Sequence, residues 1–153
     1  FPDAKVVFVM RDPRDVCVSC FMQLMVPSPA TVHLLTWRGT AEFYAMVMDW
    51  WMHIRQQMTL NFIEFRYEDA VTQFEPTFRR IFAFLGLTWD AGVADFHKHA
   101  AGKHIATPSR TQVSQPLYTS SVTRWRHYEL EFPAVSELLK PFIRAFDYEP
   151  FDQ

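Results

Sequence analysis

The first apolar run of the chain, Val6–Met10, is followed at once by a charged, proline-containing run, Arg11-Asp12-Pro13-Arg14-Asp15. Five consecutive apolar residues, mostly β-branched or aromatic, predict a strand buried on both faces, as in a parallel sheet. Asp12 is a good N-cap, Pro13 suits the first helical position, and Asp15 falls in the first turn, where the helix dipole favours a carboxylate. The pattern therefore predicts a strand, a tight turn and a helix.

Further along the chain, the spacing of apolar residues predicts one more strand and three more helices. Leu60-Asn61-Phe62-Ile63-Glu64-Phe65 is typical of a strand, and it leads into Arg66-Tyr67-Glu68-Asp69. Apolar residues recur at helical spacing over about residues 40–58, between Pro76 and Gly86, and after Pro133. We expect the last helix to be kinked or broken at Pro141.

The carboxyl ends of the two predicted strands carry polar side chains that suit an anionic ligand. Helix N-termini bind anions, and ligands of open α/β sheets lie beyond the carboxyl ends of the strands. Arg11 offers a fork of donors there, and Ser19 returns to the same helix face as Asp12 about two turns later. Tyr67 occupies the corresponding position after the second strand. The alternatives are an ordinary turn in which Arg11 pairs with Asp15 at the surface, and a Tyr67 that merely packs.

A polar, turn-rich stretch runs from Ala106 to Arg126 with little periodic pattern. Long loops without regular structure in a compact domain are usually functional or disordered. Hydroxyl groups and arginines alternate in this one, which suits a flap that closes over phosphate oxygens.

Several of these segments together resemble sulfotransferases that use 3′-phosphoadenosine 5′-phosphosulfate (PAPS). The similar segments are Phe1-Pro2-Asp3-Ala4-Lys5 with the following strand, Arg-Asp-Pro-Arg-Asp-x-x-x-Ser, Tyr-Glu-Asp, Phe84-Leu85-Gly86-Leu87, and Gln-Pro-x-Tyr followed by Ser-Ser-x-x-Arg-Trp. The last of these is similar to the nucleotide-covering loop of bacterial sulfotransferases, often fused to tetratricopeptide repeats, and of their tyrosylprotein-modifying relatives. The resemblance covers nearly the whole chain in order.

The resemblance implies roles for particular residues. Arg11 and Ser19 would hold the 3′-phosphate of the nucleotide, and Tyr67 would contact its adenine side. Ser120, Ser121 and Arg124 would be further phosphate contacts. Arg110 and Arg126 are weaker candidates for the same role. Thr123 stands where the family usually has Gly, a departure expected to do no more than stiffen the turn.

The implied fold is an α/β three-layer parallel sheet related to P-loop nucleotide kinases. The implied reaction moves a sulfuryl group from PAPS to a hydroxyl or amine acceptor, which could be a small molecule, a glycan or a protein tyrosine. The loop around the 5′-phosphosulfate and the general base come, in this family, from sequence preceding the segment matched here. We therefore expect residues 1–153 to be the carboxyl-terminal part of one sulfotransferase domain, with no assigned catalytic residue, no activity alone, and possibly an upstream repeat domain.

Composition narrows the classes of function. The chain has 153 residues, 49% of them hydrophobic, and a formal net charge of −2, which does not favour a nucleic-acid partner. No apolar run approaches the roughly 18 residues of a membrane span. Cys17 and Cys20 form a lone C-x-x-C within a predicted helix, which favours core thiols and, weakly, a reducing compartment such as the cytoplasm.

A metal is not expected in the reaction, because backbone amides and cationic side chains can neutralise the leaving phosphate. The histidines near residue 100 (His97, His99 and His104) lack a nearby cysteine or carboxylate that would complete a tetrahedral zinc set.

Two other functions remain open on the sequence. One is a non-catalytic or degenerate nucleotide-binding or interaction fragment of the same fold, and the other is a fragment of a P-loop phosphotransferase. The spacing of Arg11 and Ser19, together with Tyr67, favours the sulfotransferase over the kinase.

Overall fold

The computed structural model describes residues 3–23, 25–100 and 114–151, without the side chains of residues 99 and 100. The chain forms two compact units. The first consists of residues 1–10 and 60–120, and the second of residues 11–59 and 121–153.

The first unit is built on a parallel pair of strands. β1 (Lys5–Met10) pairs with β2 (Asn61–Arg66), in a register that runs from Lys5 opposite Asn61 to Met10 opposite Arg66. The parallel arrangement predicted from the sequence is confirmed. The last paired residues, Met10 and Arg66, are followed directly in the chain by Arg11 and Tyr67.

Three helices follow β2 in this unit: α3 (Tyr67–Thr72), α4 (Phe74–Leu85) and α5 (Phe96–Ala100), with a 3₁₀ segment at Ala91–Asp95. Gly86 ends α4 in the left-handed region at φ 76°, as the sequence predicts. The core of the unit is small and joins β2 to these helices. Its buried members are Phe65, Ala70 and Ile81, with Ile63, Phe78 and Leu85 packed around them.

β1 is less enclosed than its apolar sequence suggests. Its residues alternate between exposed and half-buried, and Val7 and Val9 are 36% and 50% exposed. The expectation of burial on both faces was wrong for the described residues, because they leave the face that carries the two valines partly open.

The second unit is helical. Its helices are α1 (Pro13–Phe21), α2 (Trp37–Gln57) and α6 (Ser136–Ala145), with 3₁₀ segments at Thr31–Leu35 and Arg124–Ala134. Its core is larger than that of the first unit and contains buried side chains from α1, α2 and α6: Cys17, Val18, Ala41, Tyr44, Leu139, Phe142 and Ile143.

Two aromatic contacts pack α2 against α6 and against the Arg124–Ala134 segment. The rings of Tyr44 and Phe142 meet edge to face at 5.6 Å, and Trp37 packs edge to face on Phe132 at 5.1 Å. The indole N–H of Trp37 also donates to the carbonyl of Glu131 at 2.9 Å.

α6 runs through Pro141 without ending there. The sequence prediction of a kink or break at this proline was wrong about the break. A second difference is that the last helix begins at Ser136, because Pro133 belongs to the preceding 3₁₀ segment.

The described chain is thus a helix-rich α/β structure with a small parallel sheet. This agrees with a sulfotransferase-like domain, and the three-layer sheet of P-loop type stays a prediction. Among the described helices, none combines the length and the apolar character that crossing a membrane requires.

Candidate functional site

The turn after β1 is held by a network that begins at Asp12. The carboxylate of Asp12 caps α1 by accepting the backbone N–H of Arg14 at 2.9 Å, and Pro13 occupies the first turn. The side chain of Arg14 then returns to the same carboxylate, with Nε 2.9 Å from Oδ1 and Nη2 2.8 Å from Oδ2. This bidentate pair is the strong form of an arginine–carboxylate contact.

Arg14 is a structural residue, and its side chain is only 2% exposed. Its guanidinium lies 3.8 Å from the centre of the Trp125 ring and 5.1 Å from that of Phe151. Nη2 also donates to the carbonyl of Glu149 at 2.8 Å. Arg14 therefore joins the start of α1 to the 3₁₀ segment and to the end of the described chain through Nε and Nη2, whereas its Nη1 is buried without a hydrogen-bond partner among the described residues.

Asp15 fastens the loop that precedes the 3₁₀ segment. Its carboxylate accepts the backbone N–H of Thr123 through Oδ2 and that of Trp125 through Oδ1, both at 2.8 Å. The side chain is fully buried. Burial raises the pKa of Asp15 above its usual value, and the bond from Trp125 and the charge of Arg11 only partly offset this rise.

Arg11 lies beside this anchored loop. Its Nη2 donates to the backbone carbonyl of Ser121 at 2.6 Å and lies 4.0 Å from Oδ2 of Asp15. The pairing of Arg11 with Asp15 that the sequence left open is therefore a loose one, and Asp15 is buried rather than at the surface. The side chain of Arg11 remains 19% exposed, so a solvent-borne anion can reach it.

The family-model comparison places residues 1–91 of the chain in the sulfotransferase family, a span that includes β1, the Arg11 turn and β2. The chain belongs to the sulfotransferase family. An uncharacterised protein of Aquifex aeolicus (strain VF5) is 28% identical over 151 residues, which is 96% of this chain and 19% of that protein. The chain thus spans about a fifth of the length of this relative.

The residues predicted to bind the nucleotide belong to both units. Arg11, Ser19, Ser121 and Arg124 belong to the second unit, whereas Tyr67 and Ser120 belong to the first. Within the second unit the structure brings Arg11 and Ser121 into direct contact, although through the backbone carbonyl of Ser121 and not its hydroxyl.

The remaining predicted residues are accessible to different degrees. Ser19 is half-buried on α1, and Tyr67 is half-buried at the first position of α3. Ser120 is exposed, and half-buried Arg124 places Nη2 3.8 Å from the sulfur of Met22. Arg126 is exposed and pairs with Glu129 at 3.4 Å, while Arg110 lies outside the described residues.

The two cysteines of α1 are free thiols. Cys17 is fully buried and Cys20 is half-buried. Burial raises the pKa of Cys17 well above its usual value, and it raises that of Cys20 less effectively because the positive charge of Arg11 acts against it. Thiols with raised pKa values are poor nucleophiles, so the prediction of core thiols agrees with these shifts.

The described residues contain no group of three or more metal-ligating side chains. His104 and the side chain of His99 fall outside the part of the chain that the structure describes.

Sequence reasoning missed the roles of Arg14, Asp15 and Trp125. Asp15 was expected to interact with the helix dipole or to pair with Arg11, and it also accepts hydrogen bonds from two backbone N–H groups more than 100 residues away in the chain. The one available signal in the sequence is Trp125 itself, because a large aromatic residue in an otherwise polar loop requires packing partners.

Thr123 adopts a left-handed backbone conformation, with φ 58° and ψ 20°. The sequence expectation that Thr in place of the family's Gly only stiffens this turn was wrong, because the left-handed region strains a β-branched residue. Its backbone N–H is needed by Asp15, so the loop holds Thr123 in this conformation.

Replacement of Thr123 by Gly is expected to raise the free energy of unfolding by about 0.5–1 kcal/mol, because relief of left-handed strain exceeds the greater entropy of the unfolded chain. Chemical denaturation measures the change. Thr59→Gly is the matched control in an exposed segment without positive φ, and we expect it to lower stability by about 0.5–1 kcal/mol. An equal loss in both variants would show that the Thr123 conformation carries no strain.

Proposed function

We propose that the chain supplies the 3′-phosphate and adenine side of a PAPS site, in a protein that transfers the sulfuryl group to a hydroxyl or amine acceptor. The observation that carries this proposal is the position of Arg11. Its guanidinium stands at the N-terminal end of α1, remains reachable from solvent, and bonds the carbonyl of Ser121 in a loop that Asp15 fastens.

This arrangement suits a phosphate more than an uncharged ligand. The first turn of a helix presents backbone N–H groups and a positive dipole end, and an arginine adds charge-assisted bonds. Ser19, on the face of α1 two turns after Asp12, would add a hydroxyl donor. The backbone at Ser121 is already fixed, so closure of the loop over the phosphate needs little further ordering.

Tyr67 is proposed to contact the adenine side of the nucleotide. It follows β2 directly, as Arg11 follows β1, and β1 and β2 are parallel with their final residues in register. Ligands of such sheets bind beyond the carboxyl ends of the strands. Ser120, Ser121 and Arg124 are proposed as additional contacts of the same nucleotide.

Sulfuryl transfer also requires groups that the family resemblance assigns to other sequence. These are a loop around the 5′-phosphosulfate, which stabilises the leaving phosphate, and a general base that deprotonates the acceptor. We propose that both come from other parts of a longer protein, together with strands that cover Val7 and Val9. The exposure of these two valines supports this proposal, because parallel strands are normally covered on both faces.

The experiment compares binding and transfer by the 153-residue chain. We expect calorimetry to show binding of 3′-phosphoadenosine 5′-phosphate (PAP), and we expect no transfer of radiolabelled sulfate from PAPS to phenolic, glycan or amine acceptors. Binding without transfer is also the result expected of a non-catalytic nucleotide-binding protein. Sulfuryl transfer by a longer protein that contains this chain would distinguish the sulfotransferase from that alternative. Transfer by the 153-residue chain would refute the proposal that the 5′-phosphosulfate loop and the general base come from elsewhere. If the chain does not bind PAP, the proposed function is wrong.

A further inference from the structure

A cleft of about 440 Å³ lies in the second unit between the Arg124–Ala134 segment, α6 and the described C-terminal residues. Its floor is apolar and consists of Trp125, Phe132 and Ile143, each no more than 3% exposed. Its volume is within the usual range of small-molecule sites, which are mostly apolar with a few polar groups.

The aromatic walls of the cleft are fixed by their packing on one another. Trp125 and Phe132 meet edge to face at 5.8 Å, and Phe151 lies 5.6 Å from Phe132 and 6.1 Å from Trp125. Arg14 and Asp15 further hold the ring and the backbone of Trp125, respectively. A flat aromatic ligand that contacts the half-buried Phe151 therefore meets a ring already fixed by packing, with little loss of side-chain entropy.

The rim of the cleft carries positive charge from α6. Lys140 and Arg144 lie one helical turn apart and both line the cleft. Lys140 bonds Glu137, but the side chain of Arg144 makes no hydrogen bond or ion pair with any described residue. Glu129, the carboxylate that lines the cleft, is paired with Arg126 at 3.4 Å. The net effect is an available guanidinium at the edge of an apolar floor.

We propose that this cleft binds a small aromatic monoanion, with its ring against the accessible apolar residues Pro133, Pro150 and Phe151 and its carboxylate or sulfate group on Arg144. A guanidinium forms charge-assisted, often bidentate bonds with both kinds of anion, and burial of the accessible apolar surface of Pro133, Pro150 and Phe151 binds the ring. None of the residues proposed for the nucleotide lines the cleft. The ligand is thus a second ligand of the protein, and its binding does not depend on the proposed function.

The test titrates the protein with 2-naphthoate, 2-naphthalenesulfonate and the neutral analogue 2-naphthalenemethanol, by calorimetry. We expect both anions to bind at least tenfold more tightly than the alcohol, and Arg144→Gln to remove most of this preference. Preference for one anion shows whether a carboxylate or a sulfate-like group is the natural head group. Arg38→Gln, which removes an exposed arginine on α2 outside the cleft, is the control, and we expect it to change affinity less than twofold.

The location of binding is measured by the five tryptophan indole N–H signals in a nitrogen–proton NMR spectrum. We expect the Trp125 signal, assigned with Trp125→Phe, to shift more than those of Trp50 and Trp89. Equal affinity for the alcohol, an unchanged Arg144→Gln variant, no binding at millimolar concentration, or a shift confined to Trp50 would each overturn the proposal.

Discussion

Replacement of Arg11 by Ala is expected to weaken binding of PAP about ten- to a hundredfold, the effect of losing a charge-assisted phosphate contact of about 1.5–3 kcal/mol. Binding of adenosine 5′-phosphate, which lacks the 3′-phosphate, is expected to change less than threefold. Calorimetric titration of both nucleotides gives the comparison. The selectivity of the loss follows from the position of Arg11, which contacts Ser121 and is proposed to meet only the 3′-phosphate.

Two further variants separate phosphate binding from loop support. Arg11→Lys keeps the charge but loses the planar fork, so we expect an intermediate loss for PAP. Arg38→Ala removes an arginine whose side chain is 72% exposed and paired with Glu42 on α2, and we expect no change. An equal loss for both nucleotides in Arg11→Ala would mean that Arg11 only supports the loop through Ser121.

Replacement of Asp15 by Ala is expected to lower the free energy of unfolding by about 1–3 kcal/mol, because two backbone N–H groups lose their acceptor and the buried one, that of Trp125, costs about 1–3 kcal/mol when unsatisfied. Urea denaturation measures the loss. Asp49→Ala, at an exposed position of α2, is the control and should change stability by less than about 0.5 kcal/mol. A loss no larger than that of the control would mean that Asp15 does not anchor the loop.

The pH dependence of the Asp15→Asn variant tests the buried charge separately. Because burial raises the pKa of Asp15 above its ordinary value of 3.8, the folded protein holds this proton more tightly than the unfolded chain. Its contribution to stability is therefore fully present below pH 3.8 and is lost as pH rises through the folded-state pKa. We expect the stability difference between wild type and Asp15→Asn to narrow over that interval. A widening difference would show that the pKa is lowered instead.

Some elements of the fold could be predicted from the local sequence pattern, and others could not. β1, the Asp12 cap of α1 and the Gly86 end of α4 depend on neighbouring residues, and the sequence predicted all three. The exposure of Val7 and Val9 depends on which other strands are present, which an apolar run does not specify. The course of α6 through Pro141 was decided by the packing of Leu139, Phe142 and Ile143, which outweighs the local preference of proline.

Some features of the candidate site could likewise be predicted from the sequence, and others could not. The sequence placed Arg11 at the carboxyl end of the first strand, and the structure has it directly after β1, next to the Asp12 cap of α1. The sequence indicated only local roles for Asp15, at the helix dipole or beside Arg11, because its partners at Thr123 and Trp125 are remote in the chain and are reached only through tertiary contact. The sequence also predicted no backbone strain at Thr123, because a backbone dihedral angle set by remote hydrogen bonds leaves no local sequence pattern.

A crystal structure of the protein with PAP tests the central claim most directly. We predict that the 3′-phosphate lies within hydrogen-bonding distance of the Arg11 guanidinium and the Ser19 hydroxyl, with the adenine on the side of Tyr67. A PAP molecule whose 3′-phosphate contacts neither Arg11 nor Ser19 would contradict the account.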